Sequence, residues 1–296
     1  AQWDELRGPP TMPLIPSTGS IAWQSFPAIA DLIPWQQPGC KFGRLWPQAP
    51  SPGVLHRRWE AFSATSTPEE RAEAFVTGSS GRTIHTQVRG LARLVDLETG
   101  AVSQPILRYG YRSFDRQWAF CDPRLAKTES PSLWSSLSDQ QIFGVSLMSY
   151  PMSSGPAMTV FTAVPDMAAF RGSYGGKDIF PLFRDSACTP NSDPALLEVL
   201  QRTLGESSDS NSKLTPEVLF AYCFGVMAGT NYTERFHEEL RTPGPRIPLT
   251  RDPQLFDEMV AHGEELLWLQ TFGERFRNKN RKALKIGSGI KWTKVP

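Results

Sequence analysis

The sequence contains no run approaching the roughly 18 uninterrupted apolar residues of a membrane span. Its first ten residues lack the charged-then-apolar pattern of a secretory signal. Cysteine is scarce: Cys40, Cys121, Cys188 and Cys223 lie 81, 67 and 35 residues apart, which excludes a zinc knuckle or a Cys-x-x-Cys redox pair. The expectation is a soluble, reduced, cytoplasmic protein without membrane contact. Proline and glycine are not scarce. The 26 Pro and 23 Gly make up about one residue in six, above the average of roughly one in eight. With 40% apolar residues, 9 Trp and 17 Phe, the 296-residue chain is nevertheless rich enough to bury a large core.

Most catalytic signatures are also missing. Gly78-Ser-Ser-Gly81-Arg82-Thr83 is two residues short of a Walker phosphate loop and has no Lys, so it reads as a turn. Gly287-Ser-Gly289 lacks the third glycine of a dinucleotide fingerprint, and Met148 stands where a nucleophile elbow built on Gly144-Val-Ser146 would need glycine. His56, His85, His237 and His262 share no ligand spacing. No Lys has an acid two residues before it, which excludes the acid-x-Lys signature of many metal-dependent nucleases. Gly8-Pro9-Pro10-Thr11 has the two prolines of an amino-methyltransferase loop, but neither the preceding Asp or Asn nor the aromatic. The chain itself is therefore expected to be non-catalytic. The initial Ala and the abrupt end point to a fragment of something longer.

The near-balance of 31 basic and 30 acidic residues hides an asymmetry. Eight basic side chains and no acid lie between Arg275 and Pro296, which leaves 23 bases against 30 acids in the rest. Such a block reads either as a solvated tail or as an arm that contacts phosphates. Residues 1–58 are dense in Pro, Trp and Gly without a helical period, and read as ordered coil with short strands packed by Trp23, Phe26, Trp35 and Trp46. Thr67-Pro68-Glu69-Glu70 starts a helix: cap, proline at the first helical position, acids in the first turn. Segments 106–120, 141–148, 157–164 and 178–183 read as strands. Asp193-Pro194 and Thr215-Pro216 start helices in the second half, followed by two more over 232–240 and 253–269. The fold class is α+β: a β-rich, Pro/Trp-rich N-terminal half (1–185) packed on a helical C-terminal half (186–274), with 275–296 a basic tail.

Several blocks are distinctive. They are Ile33-Pro-Trp-Gln-Gln-Pro-Gly-Cys-Lys-Phe-Gly-Arg-Leu-Trp46, Arg108-Tyr-Gly-Tyr-Arg-Ser-Phe-Asp-Arg-Gln-Trp118, Asp178-Ile-Phe-Pro-Leu-Phe-Arg-Asp185 and Glu239-Leu-Arg-Thr-Pro-Gly-Pro-Arg-Ile-Pro-Leu-Thr250. In order and together they resemble the C-terminal target recognition domain of single-polypeptide type I (type ISP) restriction-modification enzymes. Two departures stand out: Leu45 takes the place of a Thr in Arg-Thr-Trp, and relatives usually continue past Lys294. In that family a helicase-nuclease region and an adenine-N6 methyltransferase precede the recognition domain. The resemblance thus implies double-stranded DNA as partner, together with the methyltransferase and helicase-nuclease regions of the same polypeptide. It implies no cofactor in this fragment, with S-adenosylmethionine, ATP and Mg belonging to the parent. A scaffold or protein-interaction domain that binds no DNA is the alternative, and an independent hydrolase a third.

Guanine is read in the major groove by Arg or Lys and adenine by Asn or Gln, while phosphates take any cation. The candidates are Lys41 and Arg44 in the Pro38-Gly39 turn, Arg112 and Arg116 between aromatics, Lys177 in a Gly-rich loop, and Lys279, Arg281 and Lys282 in the tail. Arg44 can equally pair with an internal carboxylate. Arg112, Arg116 and Arg124 can tie a strand corner to nearby acids. Arg246 and Arg251 read as part of a rigid connector, and the Phe220, Tyr222, Phe224, Tyr232 stripe as core.

Overall fold

In a computed structural model, the residues described are 21–75, 82–146, 155–170, 178–205 and 214–276. The first described elements are two short helices, α1 (Ile21–Ser25) and α2 (Ile29–Leu32), and a two-residue strand β1 (Gln48–Ala49). Next come helices α3 (Pro52–Ser63) and α4 (Pro68–Ala74) and the hairpin β2 (Ile106–Arg112) and β3 (Asp115–Phe120). Helix α5 (Pro131–Ser135) and strands β4 (Phe143–Ser146), β5 (Met158–Phe161), β6 (Val164–Pro165) and β7 (Asp178–Pro181) complete this half. Helices α6 (Pro194–Gly205), α7 (Pro216–Ala228), α8 (Thr230–Arg235) and α9 (Pro253–Gln270) form the rest.

The proline-capped helix starts appear where the sequence places them. Thr67 Oγ1 accepts from Glu70 N–H (3.2 Å) while the Glu70 carboxylate accepts from Thr67 N–H, a reciprocal capping box. Asp193 and Thr215 are caps too, each accepting from a first-turn N–H, that of Ala195 and of Val218. Helix α3 corrects the reading of residues 1–58 as coil. Ser51-Pro52 opens it, and its buried stripe of Leu55, Trp59 and Phe62 straddles the edge of the proline-rich stretch, so its period is hidden from either side. The helix expected over 232–240 is shorter: α8 stops at Arg235, and a single 3-10 turn covers Glu239–Arg241.

Two sheets form. In one the order is β1-β3-β2-β6, antiparallel except for β2 with β6; in the other β5-β4-β7 is antiparallel throughout. The second sheet is buried on both faces, and its alternation feeds two cores. Phe143, Val145, Phe161 and Ile179 join Trp46, Trp59, Phe62, Tyr109 and Phe120 on one side. Met158, Val160 and Phe180 join Trp23, Tyr222, Phe224 and the rest of the helical layer on the other. Trp23, Trp46 and Trp59 are therefore core side chains, not the exposed interface that a scaffold would require.

The Thr242–Thr250 connector is strapped down. Ile29 N–H donates to Pro245 O and Ile247 N–H to Pro27 O, while the Tyr232 and Tyr222 hydroxyls donate to Arg246 O and Pro248 O (both 2.7 Å). Arg246 donates to Phe26 O (2.5 Å), a structural role.

Candidate nucleic-acid interface

The site is assembled around the β2–β3 hairpin and the loop from Gln37 to Lys41 that lies beside it. Gly39 is required there by close approach: a Cβ would stand 2.8 Å from Met167 N and 2.9 Å from Pro165 O. Cys40 N–H donates to Pro165 O and Met167 N–H donates back to Cys40 O, which braids the loop onto residues 165–167. Lys41 is fixed by its backbone, donating to Thr128 O (3.0 Å) and accepting from Lys127 and Thr128 N–H. It is half-buried.

Asp166 is the junction of this braid, buried but hydrogen-bonded from three sides. It accepts from the Tyr109 hydroxyl (2.5 Å), from Arg112 Nη1 (3.0 Å) and from Ala168 N–H (2.7 Å). Burial first, and then the Asp166 charge, pushes the Tyr109 phenol well above its ordinary pKa, so Tyr109 stays a donor. Arg112, with its side chain 41% exposed, keeps part of its guanidinium in solvent while stacking on Tyr111 at 4.0 Å. A register irregularity between Gly110 and Arg112 turns Arg112 toward the Tyr109 side of the hairpin.

The opposite face carries the cross-strand pairs Arg108 with Trp118 and Gly110 with Arg116, and it is covered at Gly110, where a Cβ would stand 2.5 Å from the Phe161 ring. The exposed Arg108 lies 4.3 Å over the Trp118 ring. Arg116 lies 3.9 Å over Phe272 and is ion-paired with Glu274, not with the neighbouring Asp115. Thr162 Oγ1 donates to the second Glu274 oxygen (2.8 Å). Burial acts to raise the Glu274 pKa, but the Thr162 hydrogen bond and the Arg116 guanidinium, with Arg275 beyond, outweigh it and hold the carboxyl below its usual value.

Arg44 does not reach solvent. It is 7% exposed, lies 4.1 Å over the Phe75 ring and donates to the Arg82 and Phe75 carbonyls. It does not project from the turn, and among the described residues no carboxylate pairs with it; main-chain oxygens accept from its Nη1 and Nη2 instead. Arg124 and Asp122 form a buried pair (2.7 Å), the strand-corner tie that their spacing allows. Lys177, Lys279, Arg281 and Lys282 lie outside the described residues. Sequence reasoning missed Arg108, Phe114, Asp166, Phe272 and Glu274. Phe114 was hidden because 106–120 reads as one strand, whereas it folds as the β2–β3 hairpin with Phe114 in its turn.

A hollow of about 60 Å³ lies under the loop, bounded by Cys40, Phe42, Cys121 and Trp134. Burial pushes both thiols up, so neither is activated as a nucleophile. Among the described residues no group of three or more His, Cys, Asp or Glu side chains could hold a metal, and no helix is long and apolar enough to cross a membrane.

A family model described as Type ISP C-terminal specificity domain matches residues 31–290. Among solved structures, an ATP-dependent Type ISP restriction-modification enzyme, LlaBIII, bound to DNA is similar in fold (TM-score 0.59, 14% identity, covering 86% of this chain and 17% of that one). A DrdV–DNA complex is similar at TM-score 0.55 and 17% identity, over 80% of this chain and 23% of that one. A nuclease-deletion mutant of the Type ISP enzyme LlaGI, in complex with a DNA substrate mimic, follows at 0.52 and 16%, over 85% and 20%. The chain thus spans about a fifth of the length of these proteins. No curated protein matches it.

Proposed function

Because the chain belongs to the Type ISP C-terminal specificity domain family, we propose that it selects the DNA target of a bacterial restriction-modification polypeptide working in the cytoplasm. Adenine-N6 methylation and ATP-dependent cleavage fall to methyltransferase and helicase-nuclease regions of that same polypeptide, where S-adenosylmethionine, ATP and Mg act. The β-rich stretch 1–185 and the helical stretch 186–274 serve as one recognition unit, and 275–296 as a phosphate-contacting arm.

One observation on the chain supports this reading above the others. Three guanidiniums, Arg108, Arg112 and Arg116, rest on aromatic rings around a single hairpin, beside a loop whose position is fixed by a buried carboxylate. Planar forks held in fixed orientation suit bidentate contact with guanine edges or phosphates. On this reading Arg108 and Arg112 read bases, Lys41 and Lys177 contact phosphates beside them, and Lys279, Arg281 and Lys282 neutralise phosphates further along. Arg44 acts indirectly, by holding the loop that carries Lys41.

Selection from a random duplex pool, read at low and at moderate salt, tests the proposal. Enrichment of one short asymmetric motif is expected. Arg112→Ala should then cost about 1–3 kcal/mol of discrimination at one position, while Lys279→Ala should weaken all sequences alike. No enrichment at either salt would overturn the assignment, and equal loss on every sequence for Arg112→Ala would move that residue to the phosphates.

A further inference from the structure

We propose, on the reading of the chain as a DNA-recognition module, that Phe114 and Phe272 form a wedge that enters a base step of the bound duplex. The two rings come from distant parts of the chain. Phe114 sits in the β2–β3 turn and Phe272 just beyond α9, and they meet edge to face at 6.5 Å. They are 65% and 50% exposed, and neither belongs to either hydrophobic core.

Single exposed apolar side chains are ordinary on protein surfaces. This pair is different in its backbone. Phe114 has φ 63° and Phe272 φ 57°, the left-handed region that bulky residues rarely occupy. Strained residues of this kind persist where the surroundings over-determine them, and they gather at functional sites. The Phe114 turn is tied down by Ser113 N–H, which donates to Ala169 O (3.1 Å), and Phe272 is held more firmly still. The Arg116 guanidinium covers Phe272 and is ion-paired with Glu274, which in turn is held by Thr162. Gln270 Oε1 accepts from Thr159 Oγ1 (3.2 Å) and Val160 N–H (3.3 Å), fixing the end of α9 to β5. Two aromatic rings are thus held outward on a rigid base.

The size and rim of the patch identify what it fits. A stable protein–protein contact needs about 800 Å² per partner with an apolar centre. Two rings bordered by Arg116, Asp115 and Glu274 do not provide that. A base step needs much less: one or two apolar side chains suffice to unstack it, with cations nearby to meet the flanking phosphates. Arg116 beside the rings is held by Glu274, so the exposed Arg108 on the same face of the hairpin is the cation left to face the duplex.

The test uses duplexes that carry the selected motif with 2-aminopurine walked through it one position at a time. On binding of the wild-type chain, fluorescence should rise at one step, the sign of lost stacking. Phe114→Ala and Phe272→Ala should each remove most of that rise and weaken binding about tenfold, while the preferred motif remains. Both positions are exposed, and thermal melts of the variants, together with Phe114→Gly, which relieves the left-handed backbone without restoring the ring, separate loss of the wedge from loss of the fold. Motif-specific binding with no rise at any position overturns the wedge alone and leaves recognition standing. So does an equal rise in wild type and in the Phe114→Ala/Phe272→Ala double variant. Failure of the wild-type chain to bind any duplex overturns recognition and the wedge together. Variants that keep the rise but lose association with a methyltransferase region supplied in trans would reassign the rings to a protein contact.

Discussion

Arginine has two uses in this chain, and residue type alone does not separate them. Arg44, Arg58, Arg71 and Arg124 point inward; Arg71, 5% exposed, donates to the carbonyls of Thr65, Leu94, Val95 and Leu97 and so pins the Leu94–Asp96 turn to the end of α3. Arg71→Ala would leave several of those carbonyls without partners, at a cost of about 2–4 kcal/mol, and Arg71→Lys should rescue little because an ammonium lacks the planar fork. Denaturant melts of the two variants check this. The sequence sets Arg112 beside Tyr111, on which it stacks, but the ring under Arg116 is Phe272, and the acidic partners of the two, Asp166 and Glu274, are 54 and 158 residues away and out of reach of any local pattern. Glu274 also yields a pH prediction. Its folded pKa is depressed, so its contribution is fully present above the ordinary Glu value of 4.5 and is lost only as the pH falls through the lower folded value. An acid melt should therefore show wild type losing stability relative to Glu274→Gln only below about pH 4.5, with the two parallel above it.

At the scale of elements, caps were readable and close approach was not. Thr67, Asp193, Thr215 and Asp252 cap their helices through local hydrogen bonds, and local sequence carries that signal. The contact between α7 and α9 depends instead on two glycines far apart in sequence. A Cβ on Gly263 would stand 1.9 Å from Ala221 O, and one on Gly225 2.6 Å from Met259 O, so the helix backbones touch at this crossing. Replacing an interior helical glycine by alanine ordinarily stabilises by about 0.5–1 kcal/mol. At Gly263 the sign should reverse, because the obstacle is backbone and cannot move aside, and a loss of about 3 kcal/mol or more is expected. Gly53 in α3 is the control. A Cβ there meets only the end of the Arg57 side chain at 3.7 Å, so Gly53→Ala should be neutral or mildly stabilising. Opposite shifts in Tm for the two alanine variants would support this account, and a stabilised Gly263→Ala would refute it.

For the molecule as a whole, the central β5-β4-β7 sheet explains why the α+β class was legible and the core was not. Strands buried on both faces read as short apolar runs, so composition announces a strand without saying which residues face which layer. Charge distribution works the other way, since it is plain in sequence and sets a constraint on binding. Outside the last 22 residues, bases are outnumbered by acids, 23 to 30. Such a body repels a polyanion at long range, so attraction must come from local patches such as the Arg108–Arg116 face or from the basic segment at the end. Counterion release makes the division measurable, because each phosphate neutralised adds about −0.9 to the slope of log K against log salt. Removing residues 277–296 takes away seven bases and no acid. If that segment is the arm, the truncated chain should bind the selected motif with a slope shallower by several such increments while keeping its base preference, since phosphate contacts position and do not specify. An unchanged slope would assign the phosphate contacts to the body, and the hairpin face would then have to supply both affinity and readout.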